Sequence, residues 1–201
     1  MIKWIPLTIV TLVLACIRVL VIITSSVGML LFNGMLYGQL GNMFYYANSA
    51  LHLFILFFLA FGLNIIKENI WCSIAYVAYA LMSIPFIVLG TLQISDPKIW
   101  GAVSVVNLVV MVFFTVQSFL VKNLQIRGAI RWYSIILMLL ILVSMAIPYI
   151  SSIMALPMHY VQFTSIVYVI PAGFQIYLIY LFYQYFSAPA IPENNGFVNQ
   201  L

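Results

Sequence analysis

The stretch Trp4–Phe32, WIPLTIVTLVLACIRVLVIITSSVGMLLF, contains one charged side chain, Arg18, in an otherwise apolar run. At about 1.5 Å of rise per residue, such a run crosses a hydrocarbon core of about 30 Å with length to spare. A secretory signal segment has an apolar core of only about 7 to 15 residues. This one is far longer and carries an arginine, so it reads as a retained membrane helix.

The rest of the chain repeats the pattern. Further apolar segments run from Asn42 to Ile66, Ile70 to Leu92, Ile99 to Val121, Trp132 to Ile153 and Pro157 to Phe186. Of 201 residues, 66% are hydrophobic and 5% charged, against about 25% charged in a soluble domain. Ten charges cannot cover a water-soluble surface of this size. The expected fold class is therefore all-α, a polytopic membrane bundle of about six transmembrane helices. A membrane barrel would need alternating polarity over many more segments. The expected domain organisation is one six-helix domain over 1–187 and a flexible cytoplasmic tail over 188–201. That tail is rich in Pro, Asn and Ala.

Charge placement predicts the orientation. Lys3, Lys67, Lys122, Arg127 and Arg131 fall before the first span or in alternate connections, whereas the opposite set has only Lys98, beside Asp96. The richer side is expected in the cytoplasm, with both termini there. Trp4, Trp71, Trp100 and Trp132 fall at the predicted helix borders, where interfacial aromatics gather. The segment from Lys122 to Arg131 reads as a solvated basic loop, with a short basic interfacial helix on the cytoplasmic face as the alternative. Short loops and scarce acids fit a bacterial inner (plasma) membrane.

The net charge of +4 comes without a Lys/Arg cluster interleaved with aromatics, so nucleic acid is not an expected partner. Cys16 and Cys72 lie on different helices outside any Cys-x-x-C, and both read as packing residues. No cofactor is expected. With only His52 and His159 and three acids in the chain, no metal site is expected either. The chain lacks Gly-x-Ser-x-Gly, His-Glu-x-x-His and paired membrane aspartates, the residues that intramembrane proteases use. An enzyme is therefore not expected. No motif carries a family resemblance, and no internal repeat or small-residue helix-pairing motif stands out.

Arg18 is the residue that asks for an explanation. It lies about 21 Å along the first helix, where a central arginine costs about 2.5 to 3.5 kcal/mol on insertion scales. All three acids, Glu68, Asp96 and Glu193, belong to loops or tail. Arg18 must therefore be matched by neutral groups, water, lipid phosphate, a partner or an anionic ligand. Tyr45, Asn48 and His52 follow one face of the second helix at i, i+3 and i+7. His52 falls about 16 Å in from the outer border, and Asn107 and Gln162 about 8 to 12 Å in. Tyr79, on a face with Tyr76 and Ser83, and Tyr168, on a face with Gln175 and Tyr183, add hydroxyls.

Four helices thus place polar groups in the outer half of the bilayer. The expected ligand-binding set is Arg18, Tyr45, Asn48, His52, Tyr79, Asn107, Gln162 and Tyr168. The leading functional expectation is a binding or transport component for a small anionic or amphipathic ligand. The alternatives are a non-catalytic accessory or scaffold subunit that meets another membrane protein, and an oligomeric pore.

Overall fold

The computed structural model describes residues 4–31, 37–92, 94, 96–154 and 164–188. Six helices order the chain: α1 (Ile5–Leu31), α2 (Tyr37–Ile65), α3 (Ile70–Thr91), α4 (Pro97–Phe119), α5 (Leu124–Met154) and α6 (Val169–Ser187). A 3₁₀ turn, Thr164–Tyr168, leads into α6. Every regular element among the described residues is helical, and six helices are long and apolar enough to cross a membrane.

Local chemistry fixes several helix ends. Asn69 caps α3 by accepting from the Trp71 N–H at 3.1 Å, and Asp96 caps α4 through the Lys98 N–H at 2.8 Å. Pro97 opens α4, where its missing N–H costs nothing. Lys67 takes a positive φ of 56° at the end of α2. There the Glu68 N–H reaches Leu63 O at 3.0 Å and the Lys67 N–H reaches Asn64 O at 3.1 Å. This pair of bonds closes the helix in the Schellman manner.

Three borders differ from the sequence expectation. Among the described residues the sixth span, read from Pro157, is α-helical as α6 only from Val169, after the Thr164–Tyr168 turn. The basic stretch read as a loop is largely the opening of α5, which begins at Leu124. Asn123 starts that helix by accepting from the Gln125 N–H at 3.0 Å. Arg131 then reaches back from α5, donating through Nη2 to Phe119 O, the end of α4, at 2.6 Å. A cation at a helix C-terminus is a favourable placement. Trp132 consequently sits two turns inside α5 rather than at its border. At the other side, α2 begins at Tyr37, within the segment read as the first loop.

Each helix packs on its neighbours in sequence, and α6 returns to pack on α1, so the six close a ring. Four-residue connections such as Ile66–Asn69 leave antiparallel packing as the only route between neighbours. The outward faces carry apolar side chains, among them Val13 and Leu20 on α1 and Val105, Val109 and Val116 on α4. Cys72 is buried, whereas Cys16 is exposed on this outer surface and is not the packing residue expected.

Among the described residues the ring is filled at the end where α1 begins. Phe58, Leu59, Leu63, Tyr76, Phe114, Phe182 and Phe186 form an apolar plug there. Within the plug α2 and α6 meet at Gly62, where an added Cβ would lie 3.0–3.2 Å from the Phe182 ring. The same end is tied outside the helices by Glu68. Its carboxylate accepts the N–H of Asn123 at 2.6 Å and of Lys122 at 3.1 Å, joining the α2–α3 and α4–α5 connections. Gly62→Ala is expected to cost about 1–3 kcal/mol through overpacking, read as a lower thermal midpoint in lipid nanodiscs. An unchanged midpoint would show that α2 and α6 part readily.

Candidate functional site

Above the plug, halfway along the bundle, lies Arg18, the only buried charged side chain among the described residues. Arg18 is 5% exposed and no carboxylate among the described residues bonds it. Glu68 and Asp96 are committed to backbone N–H groups at the helix ends, and Glu193 lies outside the described residues. Thr8 and Thr11, also buried in α1, satisfy themselves on carbonyls one turn back at 2.8 Å. Arg18 is too long and carries too many donors for that, so it bonds across the ring.

Arg18 Nε donates to Asn48 Oδ1 on α2 at 3.0 Å, and Nη1 donates to Gln175 Oε1 on α6. A guanidinium only donates, which fixes both amides with oxygen toward Arg18. Gln175 therefore turns its nitrogen the other way. It donates to the Tyr133 hydroxyl on α5 at 2.6 Å and lies 3.3 Å from His52 Nδ1 on α2. Because that amide nitrogen is a donor, His52 Nδ1 is the acceptor and the imidazole proton sits on Nε2. Gln175 is thus a hub joining four helices through one buried amide. The His52 ring stands edge-on to Tyr79 at 6.0 Å, and Tyr79 stacks on Phe114 at 5.5 Å, which seats the cluster on the plug.

From this floor a half-open cavity of about 690 Å³ runs toward the end of the bundle where α2 and α4 begin. Its lower wall is mostly apolar, with Val21, Ile22, Met82, Leu137, Leu140 and Ile141 beside the hydroxyls of Ser49 and Ser83. Farther up it gains Ser25, Ser104, Asn107, Ser144 and Tyr168. Tyr45 borders it on α2 and donates to Phe86 O on α3 at 3.3 Å, beside Gly90. Among the described residues no group of three His, Cys, Asp or Glu side chains is placed to hold a metal ion.

Of the residues selected from sequence, Arg18, Tyr45, Asn48, His52, Tyr79, Asn107 and Tyr168 all line this one cavity. Gln162 lies outside the described residues, as does His159. Two members of the network were missed as site residues. Gln175 carried a visible signal, a polar side chain seven residues beyond Tyr168 and deep in an apolar span. Tyr133 carried none, because the misplaced start of its helix made it look like a border aromatic next to Trp132.

The chain matches no family model, and neither a curated protein nor a solved structure matches it. The fold and site define a class only: a six-helix bundle of apolar exterior, compatible with a multi-pass membrane protein, with a buried arginine at the floor of an internal cavity.

Proposed function

We propose that this protein is a multi-pass integral membrane protein that binds or transports a small anionic or amphipathic ligand in the cavity above Arg18. Both termini face the cytoplasm in this reading and the cavity faces outward. The observation that carries it is Arg18 itself, a buried permanent cation with neutral partners at a half-open cavity. Asn and Gln oxygens supply partial charge but no counter-charge. An ionisable side chain held inside a membrane bundle is a functional-site hypothesis by default. The role is non-catalytic, and a bacterial inner membrane suits the short connections.

Native mass spectrometry of protein taken gently from its own membrane tests this. Wild type is expected to retain a small anion that Arg18→Met does not. If the native preparation holds no Arg18-dependent molecule and none binds from added small anions, the reading fails.

Orientation has its own test. In a background without Cys16 and Cys72, Lys98→Cys is expected to react with a membrane-impermeant maleimide from outside intact cells. Lys122→Cys, at the plugged end, is expected to react only after permeabilisation. The opposite pattern would turn the cavity toward the cytoplasm.

One feature favours the accessory-subunit reading. A shallow apolar groove on α6, lined by Val169, Ile170, Gly173, Phe174 and Tyr177, leaves Gly173 with open space beside it. Co-purification of a fixed partner in mild detergent, lost on Gly173→Phe, would bring that reading forward.

A further inference from the structure

We infer that the ligand is a monoanion with an uncharged, apolar body, a monocarboxylate in chemical class, inserted charge-first onto Arg18. This rests on the reading that the cavity takes an anion, and it narrows which one. Three observations converge on it.

The first is the charge count. Arg18 is the one charged residue lining the cavity among the described residues. Lys67, Lys122, Arg127 and Arg131 belong to the plugged end, and Lys98 starts α4 outside the lining. One cation balances one negative charge. A phosphate dianion or dicarboxylate would carry a second charge into an apolar wall, where an unpaired ion is costly. An amino acid would bring an ammonium with no carboxylate to meet it.

The second is the floor's remaining chemistry. Asn48 and Gln175 engage Nε and Nη1 of Arg18, so a planar two-oxygen acceptor meets only part of the guanidinium fork. Asn48 turns its amide nitrogen away from Arg18, and the tautomer fixed by Gln175 makes His52 Nε2 a donor. A carboxylate accepts from such donors and needs none to accept from it.

The third is the wall. Directly above the floor come Val21, Ile22, Met82, Leu137, Leu140 and Ile141, with the serine hydroxyls of Ser49 on α2 and Ser83 on α3 among them, so the surface next to the anionic head is mostly aliphatic. Ser25 follows two turns beyond Arg18 on α1, about 11 Å along the axis, and Ser104 and Asn107 line the cavity on α4. A sugar or nucleotide would leave most of its hydroxyls facing aliphatic side chains without partners. An arylalkanoate or a medium-chain fatty acid fills this shape, and cavities of this size hold such molecules. The two differ in source: one arrives from water, the other from the bilayer.

The test is binding of radiolabelled phenylbutyrate and decanoate to wild-type protein in phosphatidylcholine nanodiscs, with phosphate, succinate and decanol as competitors. Saturable binding of either label is expected, with decanol, phosphate and succinate each weaker by about tenfold or more. Arg18→Met is expected to weaken it by roughly 100-fold. Phenylbutyrate alone would identify a ligand from the aqueous side, decanoate alone one from the membrane, and both results support the class. Competition by phosphate or succinate equal to the monocarboxylates would overturn the class while leaving an anion site. Decanol binding as well as decanoate would overturn the charge-first placement. If no anion shows Arg18-dependent binding, the proposed function falls with it. Should Arg18→Met not fold, Leu140→Trp fills the wall without touching the floor network. It is expected to weaken phenylbutyrate by about tenfold or more, and unchanged binding would overturn the placement.

Discussion

Arg18→Met is expected to weaken ligand binding by roughly 100-fold while the protein stays folded and monodisperse. The magnitude follows from the environment. Truncating one partner of a buried, hydrogen-bonded charge pair costs about 2–5 kcal/mol, and about 1.4 kcal/mol is tenfold in affinity. Folding tolerates the change because methionine removes the costliest group in the bundle to insert, about 2.5–3.5 kcal/mol at a helix centre. Of the acceptors it strands, Asn48 lines the cavity, where water can reach its Oδ1, whereas Gln175 Oε1 is buried beneath it, so about 1–3 kcal/mol of the relief is given back there. Binding isotherms and thermal unfolding on the same nanodisc preparation check both halves. Wild-type affinity in the variant would place the ligand elsewhere. Loss of binding together with loss of the fold would make Arg18 a structural residue.

Gln175→Leu is the substitution expected to cost the most stability, about 2–4 kcal/mol. Leucine is close to glutamine in size, so the effect isolates the hydrogen bonds. Each buried polar group left without a partner costs about 1–3 kcal/mol. Tyr133, fully buried, loses the amide that donates to its hydroxyl, and His52 and Arg18 lose one partner each. The last two line the cavity and can be hydrated, which keeps the total below three full penalties. The double variant Arg18→Met/Gln175→Leu discriminates further. With the cation gone, leucine at 175 strands one group fewer, so the pair is expected to be less destabilised than the sum by about 1–2 kcal/mol. Additive losses would mean that the Arg18–Gln175 bond contributes nothing to the fold.

Much of the architecture was legible in the chain because the signal is solvent-level. Six apolar runs with almost no charge are a statement about what surrounds the helices, and any window of the sequence carries it. The error at α5 has a definite cause. Lys122, Arg127 and Arg131 resemble loop residues by charge, yet Arg131 serves its helix by bonding Phe119 O at the end of α4, a contact between two helices that no single window contains.

Arg18 was legible as a problem for the same solvent-level reason, since a cation in an apolar run needs a partner somewhere. Its solution was not. Helices this apolar have little polar surface to fix their rotation, so the sequence could place His52, Asn107 and Gln162 at a depth but not toward a common axis. Ring closure by α6 on α1 supplied that rotation, aiming Gln175 at Arg18, Tyr133 and His52 at once. The close α2–α6 approach at Gly62 lies at the end of the ring that aromatic side chains fill, and the cavity opens toward the other. Composition alone determined that this chain forms apolar helices around one unmatched cation. Only packing, which depends on how neighbouring helices turn toward one another, decided that the cation stands at the floor of a cavity, held by an amide from the last helix.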